Sequence, residues 1–148
     1  MIRPYRGRDF KVVLAFQCDL FATNFPDFQC SNHFLHQQAK AIRRAARQRF
    51  DNALFVYEQE GEVVGFLWLA IRLYDGRSIG NVDQIYLLPK VRGLGLGNEL
   101  MAFAEKYFTN IGIYRLRLSV TVANQVALHL YQAKGFVPIR MEMEKPIG

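Results

Sequence analysis

The stretch Ile85-Tyr86-Leu87-Leu88-Pro89-Lys90-Val91-Arg92-Gly93-Leu94-Gly95-Leu96-Gly97-Asn98-Glu99-Leu100 decides the fold, because it carries a strand through a glycine-rich turn into an amphipathic helix. The strand stops at Pro89, which cannot donate to a ladder. Beyond the glycines, Leu96, Leu100, Phe103, Ala104, Tyr107 and Phe108 recur at helical spacing. Amides at a helix N-terminus are unsatisfied and carry roughly half a positive charge, and glycine lets a ligand approach the backbone closely. The junction therefore suits a diphosphate. A P-loop is excluded, since it needs Gly-x4-Gly-Lys-Ser/Thr and the chain has no Lys-Ser or Lys-Thr pair. The dinucleotide fingerprint G-x-G-x-x-G also fails: its third glycine falls on Asn98, and it belongs in a parallel βαβ unit. The bland alternative is a turn with no ligand, against which three alternating glycines cost on the order of 1 kcal/mol of backbone entropy each.

Working outward, Leu54 to Gln59, a turn at Gly61, Val63 to Tyr74, a turn at Asp75-Gly76 and Ile79 to Leu88 read as three antiparallel strands rich in β-branched and aromatic residues. Before them come a short strand, Ile2 to Tyr5, and a helix that Asp9 can cap, running through Val12, Val13, Phe16 and Leu20. Asn24-Phe25-Pro26-Asp27 breaks that helix, and Ser31 or Asn32 can cap the next. After the glycine loop and its helix, Arg115 to Val122 alternates as a strand, Asn124 to Lys134 is helical and closed by Gly135, and Phe136 to Glu144 reads as a last strand. The expected order is β-α-α-β-β-β-α-β-α-β, an α/β (α+β) class with a mixed, largely antiparallel sheet flanked by helices.

Length and composition bound the rest. The 148 residues, 51% hydrophobic and 22% charged, fit a single domain over 1–148 with one core and no need of disulfides or metal. The longest apolar run, Phe66 to Ile71, is too short to cross a bilayer, and no apolar leader segment follows the N-terminal charges, so no membrane partner and a cytoplasmic location are expected. Cys18 and Cys30 are too few for a disulfide framework and are expected reduced.

The net charge of +6 is unevenly spread: residues 1–50 hold nine Lys and Arg against Asp9, Asp19 and Asp27, while residues 51–148 hold ten of each sign. Lys40, Arg43, Arg44 and Arg47 share one helical face, with Ala39, Ile42, Ala46 and Phe50 on another. Such a face is a solvated surface or a patch for a phosphate or acidic partner. No helix-turn-helix, zinc-finger or RNP pattern accompanies it, so nucleic acid is the lesser reading. Cys30, His33 and His36 lie at i, i+3 and i+6, which do not converge on one point of a helix, and no metal is expected.

With these residues in view, the chain resembles members of the GNAT superfamily, the acetyl-CoA-dependent N-acetyltransferases. Their signature Arg/Gln-x-x-Gly-x-Gly/Ala is matched by Arg92, Gly95 and Gly97, and their second pattern by Asn124, Ala127, Leu130, Tyr131, Gly135 and Phe136. The resemblance is strongest from Val63 to Phe136 and weakest from Lys11 to Phe50, where the family binds its varied acceptors. Leu94 departs from it, standing where a basic residue is common.

The resemblance implies that acetyl-CoA is the co-substrate and that the amides of Arg92, Gly93, Leu94, Gly95, Leu96, Gly97 and Asn98 hold its pyrophosphate. The Leu87 backbone, on a strand splayed by a bulge, would hold the acetyl carbonyl or the pantetheine arm, and Asn124 would touch that arm. Tyr131 would offer its phenol to the departing sulfur. The acceptor would be a primary amine of a small molecule or peptide, attacking directly; a homodimer stays open. Asp83 is the first candidate base, sharing a face with Ile85 and Leu87 by the two-residue period, although partnering with an arginine is an equal reading. Glu99 and Glu105 read as surface charge. An acceptor wall with surplus Arg would disfavour polycationic acceptors and tolerate an amine bearing a carboxylate or phosphate. The competing function classes are a non-catalytic acyl-CoA-binding module and a nucleic-acid-binding protein.

Overall fold

A computed structural model describes residues 1–148. Strand β1 (Ile2–Pro4) leads through a 3-10 turn (Gly7–Asp9) into helices α1 (Phe10–Asn24) and α2 (Asn32–Arg47). Strands β2 (Asn52–Gln59), β3 (Glu62–Tyr74) and β4 (Arg77–Leu87) follow, then α3 (Leu96–Asn110), β5 (Leu116–Leu118) and α4 (Gln125–Ala133). The sheet order is β1-β2-β3-β4-β5, antiparallel except for the parallel pair β4 and β5. This is the mixed α/β class the sequence implies.

Local chemistry explains the meander. Glu60-Gly61 and Asp75-Gly76 are two-residue connections with φ of 50°, 80°, 49° and 74°, the left-handed pairs that match the twist of hairpin strands. The side chains of β3 then alternate between two cores. Leu67 and Leu69 join α3 and Tyr131 on one face, while Phe66 packs with Val13, Phe16, Ile42 and Tyr86 on the other. Gly80 sits under the Phe108 ring, where a Cβ would come within 2.6 Å of ring carbon.

One irregularity matters for function. Trp68 pairs with Gln84 but Leu69 pairs with Val82, so Asp83 is an extra, bulged residue. The bulge shifts the alternation: Val82, Ile85 and Leu87 pack toward α3, whereas Gln84 and Tyr86 face α1. Asp83 therefore does not share the face of Ile85 and Leu87, because the two-residue period does not survive an inserted residue.

Four further expectations are corrected. Residues 136–148 form no strand, and β5 spans three residues rather than eight. Val137, Ile139, Met141 and Met143 alternate as a strand would, yet they are 68–85% exposed, since period 2 supplies a face and no partner edge. Phe50 lies past the end of α2 and is 92% exposed, so the helical phase no longer carries it to the apolar side. The cysteines are paired rather than free: Phe21, Phe25, Phe28 and Phe34 cluster and fold the α1–α2 loop back on α1. That return brings Cys30 to Cys18 with Cα atoms 5.5 Å apart, within disulfide reach.

Candidate active site

The site opens where β4 and β5 part. Their pairing covers only Gly80–Leu116, Asn81–Arg117 and Val82–Leu118, so from the bulge to Leu87 the β5 side of β4 has no strand partner. Gly95, at φ 85°, is the N-cap of α3. The ladder of α3 begins with the Glu99 amide donating to the Gly95 carbonyl at 3.1 Å. The six amides of Gly93 to Asn98 donate to no group within the protein. The Arg92 amide is spent on the Pro89 carbonyl at 3.2 Å, so the cradle starts one residue later than the sequence implies.

Gly97 marks the convergence of three elements. A Cβ there would lie 3.8 Å from Leu87 Cδ1 and 3.9 Å from Leu130 Cδ2, which puts the loop, the end of β4 and α4 against one another. Its φ is not left-handed, so this position demands little room rather than backbone freedom. Tyr131, one residue on from Leu130, is 8% exposed, packs edge-on to Phe136 at 5.8 Å, and its hydroxyl makes no hydrogen bond in the protein. Burial pushes its phenol pKa up, which keeps the proton on oxygen at neutral pH. Asn124 caps α4, its Oδ1 accepting from the Ala127 amide and its Nδ2 donating to Asn24 Oδ1, both at 3.2 Å. That carboxamide joins α4 to the end of α1.

Across the splay, α1 contributes groups that the sequence reading missed. Tyr86 stacks on Phe16 with ring centroids 4.7 Å apart and donates its hydroxyl hydrogen bond to Asp19 Oδ2. Burial, then the Asp19 carboxylate, pushes the Tyr86 pKa up to about 12. Arg92 donates from Nε to the Leu87 carbonyl at 2.9 Å and reaches to 3.9 Å from Asp19 Oδ2, its guanidinium 5.5 Å from the Tyr86 ring centroid. One guanidinium thus links the glycine-loop motif, the end of β4 and a half-exposed carboxylate. The available signal was weak: Asp19 is the one acid in α1 and lies three residues after Phe16 on its face, but nothing in the sequence places β4 beneath it.

Asp83 lies elsewhere. It is bound by Arg72 Nη2 at 2.5 Å and Asn81 Nδ2 at 2.6 Å, about 13 Å along the strand from Leu87 at roughly 3.3 Å per residue. Glu99, in the first turn of α3, accepts the Tyr57 hydroxyl at 2.6 Å, and that hydrogen bond, with burial, raises the Tyr57 pKa. It is a tie between β2 and α3 rather than idle surface charge. The basic face of α2 is exposed, as a solvated face would be, but Arg43 and Arg47 lie toward the end of α2 that adjoins β1 and β2. Asp19 and Asn24 stand at the other end of the helix pair, beside the end of β4, so the arginines of α2 do not line the Leu87 end of that strand.

Unpaired amides at a helix start, a splayed strand pair and a tyrosine hydroxyl with no partner in the protein thus lie at this end of the sheet. Residues 17–136 match the acetyltransferase (GNAT) family, and the chain belongs to that family. It is 31% identical over 134 residues to a mycothiol acetyltransferase of Thermobispora bispora, covering 88% of this chain and 43% of that protein. A second mycothiol acetyltransferase, from Paenarthrobacter aurescens, is 35% identical over 98 residues, covering 64% of this chain and 30% of that protein. The chain thus spans less than half the length of these relatives. The aminoglycoside 6'-N-acetyltransferase AAC(6')-Ig of Acinetobacter haemolyticus superposes with a TM-score of 0.77 at 16% identity, over 100% of this chain and 99% of that one. The F44R form of BH1408 from Bacillus halodurans superposes at 0.84 and 17% identity, over 99% of each chain. No helix is long and apolar enough to cross a membrane.

Proposed function

We propose that this acyltransferase moves an acetyl group from acetyl-CoA to a primary amine of a small molecule or peptide by direct attack. The observation that carries the reading is the run of six unpaired amides, Gly93 to Asn98, at the start of a 15-residue helix beside an unpaired strand end. The diphosphate of coenzyme A accepts from these donors, and the pantetheine arm lies in the splay between β4 and β5. The amine nitrogen attacks the thioester carbonyl; the C–N bond forms, the C–S bond breaks, and the thiolate leaves. Tyr131 donates a hydrogen bond to that sulfur. Its raised pKa makes full proton transfer to a thiolate of pKa ~8.5 still less favourable than the roughly 2 kcal/mol set by an ordinary phenol, so it stabilises negative charge and keeps its proton.

The amine must arrive neutral. Deprotonation at pH 7 costs about 1 kcal/mol for an α-amino group near ~7.8 and about 4.6 kcal/mol for a lysine-like amine near ~10.4. Asp19 is the carboxylate beside the Leu87 end of β4, and it attracts the ammonium form and passes its proton on through water. Asp83, held by Arg72 and Asn81, is assigned to structure. With the arginines of α2 at the far end, Asp19, next to Arg92, is the acid that a cationic acceptor meets, in keeping with the aminoglycoside acetyltransferases that share the fold.

Calorimetry with coenzyme A tests the cradle. Gly97→Ala adds a Cβ at ordinary contact distance and retains affinity, whereas Gly97→Val fills the gap between Leu87 and Leu130 and weakens binding at least tenfold with the fold intact. No heat of binding for the parent protein refutes the reading; thiol release over a panel of amines then identifies the acceptor.

A further inference from the structure

A second groove lies at the opposite corner of the molecule. The chain leaves β1, passes through Arg6 and the 3-10 turn, and enters α1, while the last turn of α2 descends beside it; between them is a cavity of about 820 Å3. Its rim carries Arg6, Arg43, Arg47 and Arg49, and no aspartate or glutamate lines it. All four arginines are exposed and none is in an ion pair; the protein's ion pairs use Arg3, Arg72, Lys90 and Arg92 instead. Asp9, at the end of the 3-10 turn, is taken by Arg3 at 2.9 Å through both oxygens. The floor is apolar and aromatic. Arg43 lies over Phe10, with its guanidinium carbon 4.4 Å from the ring centroid, and its guanidinium N–H groups make no hydrogen bond within the protein.

The groove shares no residue with the acetyl-transfer site. It is centred on β1 and β2, and β1 is three strands from β4, about 14 Å at roughly 4.8 Å per strand. Its volume is that of a small-molecule site rather than an extended track. Converging guanidinia without counter-ions match the planar, bidentate acceptor pattern of phosphates, and an apolar floor matches a flat ring. We propose that this groove binds a nucleoside polyphosphate, its phosphates on the arginine rim and its base on the apolar floor.

The test is calorimetric titration of the full chain with ATP, pyrophosphate and a single-stranded oligonucleotide, each with and without saturating coenzyme A. Expected is one ATP per chain in both conditions, with pyrophosphate at least tenfold weaker and a steep loss of affinity with salt. Arg43→Ser/Arg47→Ser is expected to weaken ATP at least tenfold while leaving coenzyme A affinity unchanged. Arg6→Ser/Arg49→Ser, from the other side of the rim, gives the same loss and serves if the first pair does not fold. The proposal is overturned if coenzyme A displaces ATP, if pyrophosphate binds as tightly as ATP, if the oligonucleotide binds tenfold more tightly than ATP, or if neither double variant changes the affinity. Because ATP is also titrated without coenzyme A, failure of the acetyl-transfer reading leaves this result readable.

Discussion

In the proposed reaction, Tyr131 and Asp19 divide the chemistry between them. Tyr131 is 8% exposed and its hydroxyl has no hydrogen-bond partner in the protein, so its donor capacity is unspent. Removing that hydroxyl leaves the packing on Phe136 in place. Tyr131→Phe is therefore expected to lower kcat by about 10- to 100-fold, a loss of ~1.4 to 2.7 kcal/mol in transition-state stabilisation, with KM for acetyl-CoA nearly unchanged. Steady-state thiol release measures both. Since burial raises this pKa, no loss of rate from Tyr131 ionisation should appear below pH ~10; a basic limb near 8 to 9 that vanishes in the phenylalanine variant would contradict the donor role. Asp19→Asn keeps an acceptor for the Tyr86 hydroxyl and removes only charge, so KM for a cationic amine should rise about tenfold while that for acetyl-CoA holds. Tyr131 is singled out in the sequence by its spacing from Asn124 and Gly135, which is itself a pattern. Asp19 is not, because its role depends on which strand passes beneath α1.

Among the elements, β1 is too short to hold itself, and an ion network fastens it. Arg3 donates to both Asp9 oxygens at 2.9 Å, and its Nε reaches Glu58 at 2.9 Å, tying β1 to the start of α1 and to β2. Burial alone would raise the Asp9 pKa, but hydrogen bonds from Arg3 and from the Arg6 amide outweigh it and hold the carboxyl below its usual range. The hydrogen bond from Arg3 lowers Glu58 as well. Folded values below the unfolded ones give stability that is complete above about pH 4 to 5 and is lost as pH falls through the folded values. Arg3→Met strands Asp9 in a buried place and should cost about 3 to 5 kcal/mol. Its pH dependence should weaken: burial is then opposed only by the Arg6 amide and the Arg8 charge, so the Asp9 pKa moves up from its value in the parent protein and less stability is lost as pH is lowered from 7 toward 4. Urea unfolding across that range checks both sign and size. The sequence reads well where an element is set by neighbours in the chain, as the Glu60-Gly61 and Asp75-Gly76 turns are. It misreads the Asp83 bulge and the residues after Phe136, since both depend on what lies across the sheet.

At the scale of the molecule, α1 and α3 each touch both ends: α1 has Phe10 in the arginine-lined groove and Asp19 and Asn24 at the proposed acetyl-transfer site, and α3 has Tyr107 in the groove and its first amides in the proposed cradle. The charge asymmetry of the first fifty residues was legible as a sum, but its direction was not: helical phase gives the angle of Arg43 and Arg47 around α2 without saying which end of the sheet they overhang. The cysteine pair belongs to the same account. Cys18 lies in the middle of α1 and Cys30 one residue before the Ser31 cap of α2, so the disulfide closes a loop with a sequence separation of 12 and fixes the aromatic cluster that borders the acceptor wall. Loop-closure entropy for that length gives a little under about 3 kcal/mol. Cys30→Ser, or reductant on the parent protein, is therefore expected to lower unfolding stability by about 2 to 3 kcal/mol. Coenzyme A affinity should hold, because the cradle draws on β4 and α3, while KM for the amine rises as the loop loosens. Intact mass under non-reducing conditions should be two hydrogens below the free-thiol value, and unfolding curves that coincide with and without reductant would show that the pair carries no such constraint.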